Sequence, residues 1–343
     1  MTMGSAPSGL GEFELIRRFF TRGDTTRESG VILGVGDDAA LLRLPEGADL
    51  VAAVDTIVAG RHFLDDSSAR SIGHRALAVN LSDIAAMGAT PLWATLALTL
   101  PGVDPAWLEQ FAAGFHELAQ AHGVTLVGGD TTRGPLTVSV QILGHVPHGT
   151  ALRRSGAQAG DVLAVSGTLG DAAAGLRLLE ARQRRGEQPA SATREAGELI
   201  HRFDFPEPRV ALGLRARGIA TAAMDLSDGL IGDLPKLAQA SNLAAQVNLE
   251  LLPLSSAMSA MLDSGAALDL ALAGGDDYEL LLAVPPKRFA ALKAAADGLN
   301  LMLTAIGELR VGAGVTWSLK GKDFVPKASG YDHFAQASTQ ITV

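Results

Sequence analysis

From Val31 onward the chain alternates between two apolar spacings, with glycine or aspartate at most of the joints. Apolar residues at every second position predict a half-buried strand, and recurrence every three or four predicts an amphipathic helix. Leu92, Ala94, Leu96, Leu98 and Leu100 share one face at period two, so 92–100 is read as a strand. A helix with both ends marked follows. Asp104 caps it, Pro105 takes its first position, Leu108, Phe111, Phe115 and Leu118 form the buried stripe, and Gly123 ends it. An earlier helix is expected from about Ser71 to Gly88, ahead of Pro91. Further strands are expected at 49–55, 124–127 and 136–146, the last two flanking a GGDTTRG loop.

A turn-rich, charged seam, PHGTALRRSGAQAGD, places a domain boundary near residue 150. Residues 11–150 and 151–343 are therefore read as two domains behind a lead-in of residues 1–10, to which no function is assigned. The second domain starts over with a strand at 162–165, a glycine loop GTLGD and a helix from Asp171. A polar surface excursion over 182–194 comes next, then more alternation at 219–224, 229–240, 245–249 and 278–284. This order predicts a mixed α/β fold in two layered domains, without internal repeats.

A chain of 343 residues, 47% hydrophobic and 5% aromatic, exceeds what a single core supports, in agreement with two domains. No apolar run reaches the ~18 residues of a membrane span, and the opening MTMGSAPSGL lacks a basic then apolar leader, so a cytoplasmic protein is expected. The absence of cysteine excludes disulfides, thiolate metal sites and a cysteine nucleophile, which leaves oxygen and imidazole as metal donors. A net charge of −9 argues against nucleic acid as a partner. An acidic protein that binds phosphates needs cations.

Four segments pair glycine with acid at a predicted strand end: GVGDD (34–38), GGDTTRG (128–134), DLSDGL (225–230) and GGDDYE (274–279). Asp55 ends its strand, and Asp83 sits in the otherwise apolar stretch LAVNLSDIAAMGA. Singly, each is an ordinary turn or cap; six together point to a metal-phosphate site. An ionised carboxylate buried at Asp83 wants a cation, and Asn80 on the same face either joins it or makes a capping or interhelical hydrogen bond. Strand-end carboxylates backed by glycine suit magnesium, which takes a few carboxylates together with phosphate and water oxygens. There is no P-loop, GxSxG elbow, HExxH or protein-kinase motif set. Of the eight histidines only His62, shortly after Asp55, is singled out.

GVGDDAALL, VDTIVAGRHF, ALAVNLSDIAAMGA, GGDTTRG, MDLSDGL and GGDDYELLL, in this order, resemble the thiamine-monophosphate kinase family from about Gly11 to a closing GYDHF at 330–334. The aminoimidazole ribonucleotide and selenophosphate synthetases are weaker relatives that share the acidic layout. The resemblance implies transfer of the γ-phosphoryl group of ATP to thiamine monophosphate, giving thiamine diphosphate, the last step in making that compound. It implies several Mg2+ ions, ATP as co-substrate, and a homodimer whose N-terminal strands pair across subunits into a barrel, followed by a C-terminal α/β domain. By the same resemblance Asp38, Asp55, Asp83, Asp130, Asp225 and Asp228 match magnesium ligands, and Gly129, Asp130, Arg154 and Ser227 match ATP contacts. His62, Asp276 and Tyr331 match positions bordering the thiamine phosphate. Two departures stand out. Ala53 and Val54 precede Asp55 where relatives often carry hydroxyls, which limits Val54 to a backbone carbonyl contact, and Asp276 stands where many have Glu.

The chemistry is self-consistent. The acceptor is an anionic phosphate oxygen, so no side chain is expected as general base. Two polyanions must instead be brought together, and unit charges ~4 Å apart repel by ~4 kcal/mol at an effective dielectric of about 20. Magnesium removes that repulsion and aligns donor with acceptor. Arg154 suits a bidentate phosphate contact, and Arg153 is read as a solvated surface charge. Tyr331 and Asp276 suit the cationic ring and aminopyrimidine of thiamine; Trp317 ranks below them, a core role being equally open to it. Met258 and Met261 are read as helix packing. An ATP-dependent synthetase of the same superfamily and a catalytically idle nucleotide-metal binding protein are the alternatives.

Overall fold

The structure is a computed structural model and describes residues 12–21, 30–186 and 193–327. Its chain divides into two units, residues 1–80 with 91–145, and residues 81–90 with 146–343. The first unit opens on a helical turn, α1 (Glu12–Leu15), continued as a π-helical turn over Ile16–Phe20. Then come β1 (Val31–Leu33), β2 (Leu41–Leu42), β3 (Ala48–Val58), α2 (Ala69–Ala86), β4 (Thr90–Leu100), α3 (Pro105–Ala121), β5 (Thr125–Arg133) and β6 (Thr137–Pro147). Among the described residues β1 pairs with β2 in a small ribbon, and a four-stranded sheet runs in the order β3-β6-β4-β5.

The predicted signals account for much of this unit. The Asp104 carboxylate accepts from the Ala106 and Trp107 N–H groups at 2.9 and 3.3 Å, and Leu108, Phe111, Phe115 and Leu118 are buried along α3. Ala94, Leu96, Leu98 and Leu100 are buried as the period-two pattern requires, whereas Leu92 is only half-buried. Trp93, on the opposite face, is also buried, packing with Val31 and Val127. Helices α2 and α3 touch backbone to backbone: a Cβ on Gly73 would overlap the Phe111 carbonyl oxygen, and one on Gly114 would overlap the Arg70 carbonyl oxygen. Gly114→Ala is therefore expected to force the helices apart and lower the free energy of unfolding in urea by ~1–3 kcal/mol, well beyond a surface Gly→Ala change.

The second unit adds β7 (Val162–Ser166), α4 (Asp171–Arg185), α5 (Arg194–Asp204), α6 (Val210–Ala216), β8 (Ala222–Leu226), α7 (Leu230–Ala240) and β9 (Leu243–Asn248). After these come α8 (Ser256–Met261), α9 (Ser264–Ala273), β10 (Glu279–Val284), α10 (Pro286–Asp297), β11 (Leu303–Val311), β12 (Gly314–Leu319) and β13 (Lys322–Phe324). Its sheet runs β13-β12-β9-β11-β7-β10-β8 among the described residues; β12 and β9 are parallel, and the pairings β9-β11, β11-β7, β7-β10 and β10-β8 are antiparallel. The core joins Leu163, Val165, Met224, Leu234, Val247 and Leu281, with Trp317 8% exposed at its edge, so Trp317 takes the core role.

Three expectations are corrected. The polar run from Arg182 is not all surface excursion: Arg182–Arg185 complete α4, which ends on Gly186 at φ 65°, and Arg194 begins α5. Arg182, Arg184 and Arg185 suit a helix end, where cations face the carbonyl pole. GGDTTRG is not a loop up to Arg133 but the continuation of β5, paired in parallel with 95–100 of β4. Gly129 permits this, because its φ is 151° and a Cβ there would overlap the Leu96 carbonyl. Met258 is fully buried as expected, but Met261 is 37% exposed at the end of a short helix.

Candidate functional site

In the first unit GVGDD and GGDTTRG meet. A cavity of about 680 Å³ is lined by Gly36, Asp37 and Asp38 from one and by Gly128, Gly129 and Asp130 from the other, with Ile16 and Phe20 as an apolar wall. Asp38 and Asp130 are both exposed. The Asp38 N–H donates to the Asp37 carboxylate at 2.8 Å, a local turn bond of the kind aspartate makes. Asp130 is held by the parallel pairing of β5 with β4. Glycine on both sides of the cavity leaves its backbone open to phosphate oxygens.

Asp55 and Val54 lie on β3 and are exposed. Asn80, fully buried, accepts from the Asp55 N–H at 3.0 Å and donates to the Ala76 carbonyl at 3.0 Å. The bond observed is neither a cap nor interhelical: Asn80 ties helix α2 to strand β3. His62 Nδ1 accepts from the Val58 N–H at 3.1 Å, which puts the proton of the neutral ring on Nε2.

Asp83, Arg154, Asp225, Ser227, Asp228 and Asp276 belong to the second unit. Asp83 is half-buried, not enclosed as its apolar neighbours predicted; the fully buried group beside it is Ser82, whose hydroxyl donates to Asp225 at 2.9 Å. Burial pushes the Asp225 carboxyl up to about 6, the Ser82 bond opposes this, the Asp233 charge adds to it, and Arg154 pulls it back. Arg154 thus acts on Asp225 through its field while its side chain stays exposed. Its backbone carbonyl accepts from Ser241 at 3.1 Å, and Arg153 is exposed as read.

The DLSDGL loop is organised by two residues that its motif does not contain. The Asp233 carboxylate accepts from the Ser227 and Asp228 N–H groups at 3.0 and 2.9 Å, and Lys236 pairs with Asp228 at 2.7 Å and Asp233 at 2.9 Å. Sequence reading passed over both as ordinary residues of α7, although their i, i+3 spacing was a visible signal.

GGDDYE is pinned to the same loop. The Asp276 N–H donates to the Ser227 carbonyl and the Tyr278 N–H to the Leu226 carbonyl, each at 2.9 Å. Asp276 and Tyr278 have φ of 70° and 50°, left-handed conformations that cost a non-glycine residue ~1–3 kcal/mol each and that concentrate at functional sites. Glu279, fully buried at the first position of β10, closes the segment: Arg209 holds it bidentately at 2.6 and 2.7 Å, Arg202 at 2.8 Å, and the Ser166 hydroxyl at 2.6 Å. Burial alone would raise its pKa, but the two arginines and Ser166 outweigh burial and hold it below the usual carboxylate value. Gly167 makes room, since a Cβ there would overlap the Glu279 carboxylate.

Asp277 faces the other way. It accepts from Gly170 N–H at 2.6 Å and Ala172 N–H at 3.4 Å, so the N-terminus of α4 behind the GTLGD glycines is already occupied by a carboxyl group. Burial pushes its pKa up to about 8; the Gly170 bond and Arg202 oppose this, and Asp171 and Glu279 reinforce it. A carboxyl raised in the fold is protonated there between its unfolded value and about pH 8, so its contribution is fully present below the unfolded pKa and lost as pH rises through 8. Urea unfolding between pH 5 and 8 should accordingly show stability falling with pH in the natural protein, with a shallower fall in Asp277→Asn.

No three or more Asp, Glu or His among the described residues are gathered into a ready metal cage. Magnesium does not require one, because one or two carboxylates with phosphate oxygens and waters complete its shell, and Asp38 with Asp130 on one cavity fits that mode. Tyr331 and the GYDHF segment lie outside the described residues.

Comparison with known proteins identifies the family. The models for the N-terminal and C-terminal domains of AIR synthase related proteins match residues 36–146 and 158–319. The thiamine-monophosphate kinase of Escherichia coli is 47% identical over 326 residues, 95% of this chain and 98% of that one. A crystal structure of thiamine-monophosphate kinase from Stenotrophomonas maltophilia superposes with a TM-score of 0.80 at 48% identity, covering 85% of this chain and 92% of that one. A structure of AaThiL complexed with AMPPCP and TMP gives 0.75 at 31% identity, covering 97% and 100%. Similarity this extensive, spanning both domains and nearly the full length of the relatives, places the chain in the thiamine-monophosphate kinase family.

Proposed function

We infer that this chain transfers the γ-phosphoryl group of ATP to the phosphate of thiamine monophosphate, giving thiamine diphosphate and ADP. The observation that carries this is its 47% identity to a thiamine-monophosphate kinase across 95% of its own length. A phosphate oxygen of the acceptor attacks the γ-phosphorus, and the bond to the β–γ bridging oxygen breaks, releasing ADP. The attacking oxygen is already anionic, so no residue is assigned as general base. Binding and orientation are the work left to the protein.

Gly129, Asp130, Arg154 and Ser227 are assigned to ATP, and His62, Asp276 and Tyr331 to thiamine monophosphate. Asp38, Asp55, Asp83, Asp130, Asp225 and Asp228 are assigned to magnesium, with the Val54 carbonyl added. Bound magnesium supplies charge neutralisation between the two polyanions. The exposed carboxylates of Asp38 and Asp130 on one cavity support this assignment in the first unit. In the second, Asp225 is held by Ser82, while Lys236 limits the charge at Asp228. His62 presents its Nε2 side to a phosphate, consistent with the Nδ1 bond to Val58.

The quaternary reading is a homodimer in which β3 pairs with the same strand of a second copy, completing a barrel. Supporting it, β3 is, among the described residues, an edge strand of 11 residues that exposes Leu50 and Val54, at 52% and 64%. A long edge strand with apolar side chains in water is a liability that pairing removes. The protein is assigned to the cytoplasm; no helix among the described residues is long and apolar enough to cross a membrane.

The test is to measure ADP, inorganic phosphate and thiamine diphosphate together. A kinase yields ADP and thiamine diphosphate in equal amounts with no free phosphate. Free phosphate matching ADP would point to a synthetase, and ATP binding without turnover to an idle binding protein.

A further inference from the structure

We propose that Tyr278 is a positioning residue for the acceptor: it fixes the direction of the Asp276 carboxylate and is itself fixed by the buried cluster that begins one residue later. The proposal rests on the assignment of Asp276 to thiamine monophosphate made above. Tyr278 Oη donates to Asp276 Oδ1 at 2.9 Å. The two residues are separated by one position, and their left-handed backbones at φ 70° and 50° are what bring a carboxylate and a phenol of the same short loop together. A half-buried aspartate at a loop otherwise samples several rotamers, and ordering them on binding weakens the ligand. A hydrogen bond to a buried tyrosine sets one orientation beforehand; Tyr278 is 8% exposed.

The strained segment is anchored from both sides. Before it, the Asp276 and Tyr278 N–H groups are tied to the carbonyls of Ser227 and Leu226. After it, Glu279 is wholly enclosed and ion-paired to Arg202 and Arg209. Ser166 bonds both the Glu279 carboxylate and the Leu280 N–H, at 2.6 and 2.8 Å, so β7 ties down the residues on which Tyr278 depends.

A double-mutant cycle on the full chain tests this, with calorimetric Kd for thiamine monophosphate as the main readout and KM for ATP and melting temperature alongside. Tyr278→Phe is expected to weaken thiamine monophosphate about tenfold, as for loss of a hydrogen bond to a charged group. The KM for ATP and the melting temperature should stay near those of the natural protein, which a merely structural role would not allow. Asp276→Ala should weaken the acceptor as well, and adding Tyr278→Phe to it should cost nothing further. If Asp276→Ala weakens binding and Tyr278→Phe does not, or if the two effects multiply, the positioning role is overturned while the Asp276 assignment stands. If Asp276→Ala itself leaves Kd unchanged, the assignment falls and the positioning role with it.

Discussion

Asp130→Asn is expected to reduce kcat by roughly 10^3-fold or more while leaving the fold intact, the scale that follows when several kcal/mol of metal-assisted charge stabilisation is removed. The substitution keeps the shape of the side chain and deletes its charge. Asp130 is exposed on the wall of the cavity it shares with Asp38, so its loss leaves no buried group without a partner. On the proposed assignment it removes one of the carboxylates that would hold the magnesium through which phosphates bind, and β5 presents that acid rigidly because Gly129 lets the strand run against β4. The check is steady-state turnover beside urea unfolding. A normal rate would strike Asp130 from the magnesium ligands; a lost rate with lost stability would make its role structural.

Arg209→Ala is expected to have the largest effect on stability, ~3–5 kcal/mol by urea unfolding, because it leaves the Glu279 carboxylate buried without its bidentate partner. Glu279 is wholly enclosed, and Arg209 forms two of its three guanidinium bonds. The field of Glu279 also raises the Arg209 pKa against the burial that opposes it, so both groups remain charged. Arg202 and Ser166 stay behind but do not replace the fork. A loss under 1 kcal/mol would mean that water reaches Glu279 in the variant.

Features written in short stretches of sequence were legible. Asp104 and Pro105 define the start of α3, and the 3.6-residue stripe from Leu108 to Leu118 is its buried face. The acidic glycine segments stand out because their residue types restrict both backbone and charge. What was misread depended on distant partners. GGDTTRG carries turn chemistry locally, and only pairing with β4 makes most of it a strand, an outcome strand propensity cannot foresee. Asp83 has apolar neighbours in sequence, yet the angle of its own Cα around α2 leaves it half-buried and buries Ser82 in its place. The Glu279 cluster had no local signal, since its arginines lie 77 and 70 residues earlier. Tyr278 was quoted inside its motif without a role, because left-handed backbone at two non-glycine residues cannot be read from side-chain type.

The most direct test of the central claim is to incubate the purified chain with ATP, magnesium and thiamine monophosphate, and to follow thiamine diphosphate by chromatography with and without EDTA. The reading predicts thiamine diphosphate and ADP in equal amounts, abolished by EDTA and restored by excess magnesium. ATP bound by the folded protein with no thiamine diphosphate formed, or product formed equally well in EDTA, would contradict it.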